Sequence, residues 1–148
     1  MADLNTKAFA AQDARVAGLQ AAAGLAAWTV EFGLPAVRGE MHVWVDEHVE
    51  EWRQEAPTTG LVSREESFTL DVYLYARMTD AGALEVRDAI TAAAAVVQNV
   101  IGSAPFLGGV ALMAQVSGGE YDGAFADPEG RSREGLLLLK VECQTFLA

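Results

Sequence analysis

The stretch from Glu66 to Ile101 constrains this chain most, because its hydrophobic period changes from two to that of a helix. In Ser67–Ala76 (SFTLDVYLYA), Phe68, Leu70, Val72, Leu74 and Ala76 alternate with Thr69, Asp71, Tyr73 and Tyr75. Alternation among β-branched and aromatic types predicts a strand with one buried face. The turn MTDAG follows, with Thr79 or Asp80 placed to cap a helix. From Ala83 onward, Val86, Ile90, Ala93, Ala94, Val97 and Ile101 recur at spacings of three and four, one apolar stripe on a helix. The alanines at 92–95 favour the helix and flatten the surface that meets a sheet. Gly102 marks its end, and Pro105 opposes continuation.

The flanking segments read as layers added to that pair. Residues 1–9 are expected to form a loose tail, and Ala10 to about Trp28 an alanine-rich helix with Val16, Leu19 and Ala23 at helical spacing. The segment EFGLPAVRGE breaks that helix at Gly33 and Pro35. Met41–Val49 alternates Met41, Val43 and Val45 with His42, Trp44 and Asp46, a second strand. Residues 50–66 read as a long acidic arm and residues 118–134, rich in glycine, as a mobile loop between two hairpin strands. Those strands are Val110–Ser117 and Leu136–Phe146. The expected fold class is therefore α+β, one domain over residues 1–148. A mostly antiparallel four-stranded sheet carries two main helices on one face, in the order helix-strand-strand-helix-strand-strand.

The other sheet face then carries Trp44, Tyr73, Tyr75, Met113 and Gln115, too apolar and aromatic for water, which marks an interface. Trp52, a large aromatic among charges, either folds back on the core or meets a partner. Tyr121 and Phe125 on the second arm complete the expected interface residues.

Chemistry has few candidates. His42 and His48 on one strand lie about 20 Å apart, too far to chelate one ion. Asp46, Glu47, Glu50 and Glu51 are acidic but lack the ligand spacing of a cation loop, so they read as a solvated edge. Asp71, among apolar neighbours, is either a perturbed carboxylate or a salt-bridged one. A single cysteine, Cys143, excludes an intrachain disulfide and a multi-cysteine zinc site, and reads as a small core residue. The serines and threonines from Thr58 to Thr91 form no nucleophile elbow, and GGEYDG has no following lysine to make a phosphate loop. No catalytic residue, metal ligand or cofactor is expected, and no enzyme. The amino-terminal segment, with Asp3, Asp13 and Arg15, is not patterned as a signal peptide, and no apolar run reaches the roughly 20 residues that span a bilayer. A net charge of −11 disfavours attachment to nucleic acid through a basic face.

The order of elements, the strand SFTLDVYLYAR, the helix begun by Asp, the turn Phe106-Leu107-Gly108-Gly109-Val110 and the closing strand LLLLKVECQT together resemble the tail terminator (tail completion) proteins of long-tailed bacteriophages over about residues 15–146. The acidic arm and the alanine-rich first helix depart from that pattern. The resemblance implies a structural virion protein at the head-proximal end of the tail, assembled in the host cytoplasm. It implies a homo-oligomeric ring, commonly a hexamer, that stops the tail tube protein polymerising and docks the head-tail connector or stopper protein. DNA would pass through its lumen without specific binding, and a strongly negative ring would let it slide. Two alternatives stand beside it: another neck ring component, or a small α+β ligand-binding domain or enzyme with a pocket between sheet and helices.

Overall fold

The computed structural model describes residues 6–35, 40–55, 64–103 and 113–147. Helix α1 (Ala8–Gln20) leads through a short 3-10 turn at Ala23–Leu25 into strand β1 (Thr29–Phe32). Strands β2 (Met41–Glu55) and β3 (Arg64–Thr79), helix α2 (Ala83–Ser103), and strands β4 (Met113–Phe125) and β5 (Ser132–Leu147) follow. The strands form one five-stranded sheet in the order β1-β2-β3-β5-β4. β1 runs parallel to β2, and the other pairs are antiparallel.

This corrects the expected four-stranded, mostly antiparallel sheet and its element order. The sheet is mixed, and the order is helix-strand-strand-strand-helix-strand-strand. The cause lies at residues 21–32. The first helix stops at Gln20 instead of running to Trp28. Gly24 then passes so close to α2 that a Cβ there would lie 2.7 Å from Cγ2 of Val96. The freed segment pairs Thr29 with His42 and Phe32 with Val45, and the Gln20 side-chain amide donates to the Val30 carbonyl at 3.1 Å. Four residues are too few for a period to register, and a parallel partner is chosen by tertiary contact.

The central pair forms as its periods require. Phe68, Leu70, Val72, Leu74 and Ala76 are buried, and α2 buries Val86, Ile90, Ala93, Ala94, Val97 and Ile101 against them. Fully burying each larger aliphatic side chain contributes about 1.5–3 kcal/mol. Both helices share this core: Ala8, Ala11 and Leu19 of α1 join Val43 and Val45 of β2 in the same cluster. Gly135 lets α2 approach β5, since a Cβ there would meet Cδ1 of Ile90 at 2.8 Å. At the start of α2 the Gly82 amide donates to Glu85 at 3.4 Å, while the Thr79 hydroxyl lies 3.3 Å from that of Ser132.

Two expected loops are largely strand. β2 continues to Glu55 and β3 begins at Arg64, while residues 56–63 of the acidic arm lie outside the described residues. The segment expected as a loop over 118–134 pairs Gly118 with Lys140 and onward to Phe125 with Arg133, leaving residues 126–131 as the turn. The turn Phe106–Val110 that carried part of the resemblance lies outside the described residues.

Candidate functional site

The sheet face opposite the helices is built in cross-strand rows. His42, Tyr75 and Leu136 share one row, ending at Asp122, and Trp44, Tyr73 and Leu138 share the next, ending at Glu120. Trp44 and Tyr73 stack with ring centroids 5.1 Å apart and planes 14° from parallel. The Tyr75 hydroxyl donates to Glu134 at 2.6 Å. Trp44 and Tyr75 are buried within the chain at 3% and 6% exposure, and Tyr73 is half-buried. Trp44, Tyr73 and Tyr75 thus share one surface, as expected from the sequence, but Trp44 and Tyr75 are buried in it. Met113, Trp52, Tyr121 and Phe125 stand at 39–61% exposure.

Next along the face, three charged side chains from three strands converge. Lys140 of β5 donates to Glu50 of β2 at 2.5 Å and lies 3.7 Å from Asp71 of β3 between them. Burial, the Glu50 hydrogen bond and the Glu50 charge push the Asp71 carboxyl up to about 6, against the pull of Lys140. Both sequence readings of Asp71 therefore hold together: it is ion-paired and perturbed. The Lys140 hydrogen bond holds Glu50 below the usual carboxylate range. A register irregularity between Val45 and Val49 interrupts the alternation in β2, so His42 is buried while His48 is exposed. The acidic cluster divides: Glu47 lies beside Gly33, while Glu50, paired with Lys140, and Asp46 both act on Asp71. GGEYDG is part of β4.

Sequence reasoning missed two buried charges. Glu66, wholly inaccessible, accepts from the Thr6 hydroxyl (2.6 Å), the Lys7 amide (2.7 Å), the Trp52 indole (2.7 Å) and the Gln54 amide (2.9 Å). Burial pushes this carboxyl up, but the four donors outweigh it and hold it below its ordinary value. Trp52 thus folds back through its N–H while its ring remains 41% exposed. The signal was the glutamate two residues before a strand's first apolar position; its partners sit up to 60 residues away. Arg15 of α1 is also buried, with Nε and Nη2 lacking hydrogen-bond partners among the described residues, and burial lowers its pKa. It lies near Cys143, a buried free thiol that burial pushes up to about 12.

The surface has shallow grooves, and among the described residues no further strand pairs with the β1 or β4 edge of the sheet. One groove of about 340 Å³ runs between the first turn of α2 and the β4–β5 hairpin, lined by Leu84, Arg87, Tyr121 and Arg133. Another, of about 240 Å³, lies by Met113, Arg53 and Glu142. Among the described residues no group of three or more metal-ligating side chains comes together, and no helix is long and apolar enough to cross a membrane.

No family model matches the chain, and comparison with curated proteins found no match. Among solved structures, the chain is similar to one in the "Virion of native gene transfer agent (GTA) particle". The two are 16% identical, with a TM-score of 0.52, and the likeness covers 90% of this chain and 93% of the other. At that identity the likeness establishes a shared fold.

Proposed function

We propose that this chain is a structural subunit of a phage-like virion, and within it a tail terminator. In this role a ring of identical copies caps the tail tube, halts its polymerisation and presents a surface to the head's connector. The observation that carries the virion reading is the fold shared along nine-tenths of both chains with a component of a virion particle. The terminator role rests on the sequence resemblance, from SFTLDVYLYAR through the closing strand.

The electrostatics suit a subunit that borders passing DNA. The net charge is −11, and the open sheet face carries Glu50, Asp71, Glu120, Asp122, Glu134 and Glu142 against three dispersed cations, Arg53, Arg77 and Lys140. A duplex meets no array of cations there to hold its phosphates, so it slides without releasing counterions to a basic surface. Trp52, Met113, Tyr121 and Phe125, the exposed members of the expected interface, are available for contacts with neighbours.

The test is reconstitution with purified tube subunits. Added at well below one copy per tube subunit, the protein should arrest tubes at finite length, seen by negative-stain microscopy, and sit at one end only. Tubes that lengthen unchecked with the protein unbound would refute the terminator role. Lysine or arginine side chains gripping DNA in the assembled lumen would refute the charge argument.

A further inference from the structure

The two edges of the sheet, unpaired among the described residues, are different surfaces, and each carries exposed apolar side chains. At the β4 edge, Leu84 and Tyr121, lining the 340 Å³ groove, are 58% and 39% exposed, and Phe125, under Arg133 at the groove's side, is 61% exposed. At the β1 edge, Phe32 and Leu34 are 49% and 61% exposed. Gly33 between them adopts φ 80° and its amide donates to the Val45 carbonyl at 2.8 Å, which turns the chain at the end of the strand. Scattered apolar residues on a surface need no explanation, but two clusters on opposite edges of one sheet do.

Resting on the ring reading above, we propose that copies of this chain join edge to edge, the β4 side of one against the β1 side of the next. Two independent features of the fold agree with this occupant. The first is strand polarity. β1 and β2 run together, β3 reverses, β5 reverses again and β4 runs opposite to β1. A second copy placed beside the first in the same orientation therefore brings its β1 antiparallel to β4, the more stable and commoner pairing. The second is facing. Phe32 is in register with Val45 and Tyr121 with Leu137, both on the helix side, so the exposed aromatics of the two edges fall on one side of a continued sheet. On the helix side of the β4 edge Arg87 and Arg133 border the groove beside Glu134, and Arg133 lies 4.3 Å over the Phe125 ring; the other side of that edge carries Glu120 and Asp122.

The β4 edge has a register irregularity between Val116 and Gly118 and carries Glu120 and Asp122, yet every residue from Ser117 to Phe125 is exposed, and Met113–Phe125 contains neither proline nor lysine to block pairing. Because the paired surfaces differ, the contact is heterologous and closes into a ring by rotation.

Analytical ultracentrifugation of two double variants tests this. Leu84→Glu with Phe125→Glu removes one surface, and Phe32→Glu with Leu34→Glu removes the other. All four positions are exposed, so melting followed by circular dichroism should match the wild type. Each variant alone should lose the oligomer and sediment as a monomer. Mixed in equal amounts, they should form a dimer and nothing larger, since one intact β4 side meets one intact β1 side. A variant that assembles alone as the wild type does, or a mixture that stays monomeric, overturns the edge-to-edge contact while leaving the ring reading standing. A wild type that stays monomeric at all concentrations, with tube subunits present, overturns both.

Discussion

Replacing Glu66 with glutamine keeps the side chain's shape and removes only its charge and one acceptor. In the native chain Oε2 accepts from Thr6, Trp52 and Gln54 while Oε1 accepts from the Lys7 amide. A glutamine can offer its oxygen to the first three, but its NH2 then faces the Lys7 N–H, donor against donor. That loses one charge-assisted hydrogen bond worth about 1.5–3 kcal/mol and weakens three others by about 0.5–1 kcal/mol each. Relief of the buried charge returns part of this, because burial is the largest single influence on the carboxyl and opposes ionisation. The net loss expected is about 2–3 kcal/mol, a fall in Tm of roughly 5–10 °C for a chain of this size. The pH dependence gives a second readout. A carboxylate held below its ordinary pKa stabilises the fold above that ordinary value and loses the contribution as pH falls through the folded value. The gap between Glu66→Gln and wild type, read from urea midpoints, should therefore be full at pH 7 and close in acid. Equal melting at pH 7, or a gap that persists unchanged to the acid limit, would refute the assignment of four charge-selecting donors to Glu66.

Two further outcomes follow from the buried groups. Asp71, raised to about 6, behaves oppositely to Glu66: the folded state holds its proton longer than the unfolded chain, so its contribution is lost as pH rises from the ordinary carboxylate range through about 6. Asp71→Asn should flatten the stability profile across that window and leave the Lys140–Glu50 pair in place, with a carboxyl NMR titration of the wild type reading the midpoint directly; a midpoint in the ordinary range rules the perturbation out. Cys143, buried and raised to about 12, should resist a thiol reagent at pH 8 in the native protein and react stoichiometrically in denaturant. Rapid labelling of the native chain would place the thiol at the surface.

What the sequence made legible is what a local period can carry. The six buried stripe positions of α2 and the buried face of β3 follow from spacing alone, because burying one face of a regular element writes that element's own period into its residues. The partition of Trp44, Tyr73 and Tyr75 onto one face follows for the same reason. Their exposure does not, since it depends on how tightly neighbouring strands crowd the ring edges. β1 stayed hidden because its evidence is its partner, 13 positions later, at Thr29–His42. The far half of β4 stayed hidden for a different reason. Gly118, Gly119 and Gly123 weaken the strand signal, yet a Cβ at Gly119 would lie 2.2 Å from the Leu138 carbonyl, so glycine is there to let two strands close.

The same distinction governs the candidate interface. Trp44 and Tyr75 drew notice as large aromatics on an outer face, and a row of cross-strand neighbours accounts for them without any partner. Phe32, Leu34 and Leu84 drew none, because they sit just past or just inside the ends of elements, where no period applies. Those ends are where one subunit's regular structure stops and unmatched backbone and side chains remain. An edge of a sheet is incomplete by construction, with a row of hydrogen-bonding groups facing outward. On the proposed ring reading, the informative residues are therefore those that local structure leaves unused. Here they lie on two opposite edges, with a strand polarity and a facing that match each other.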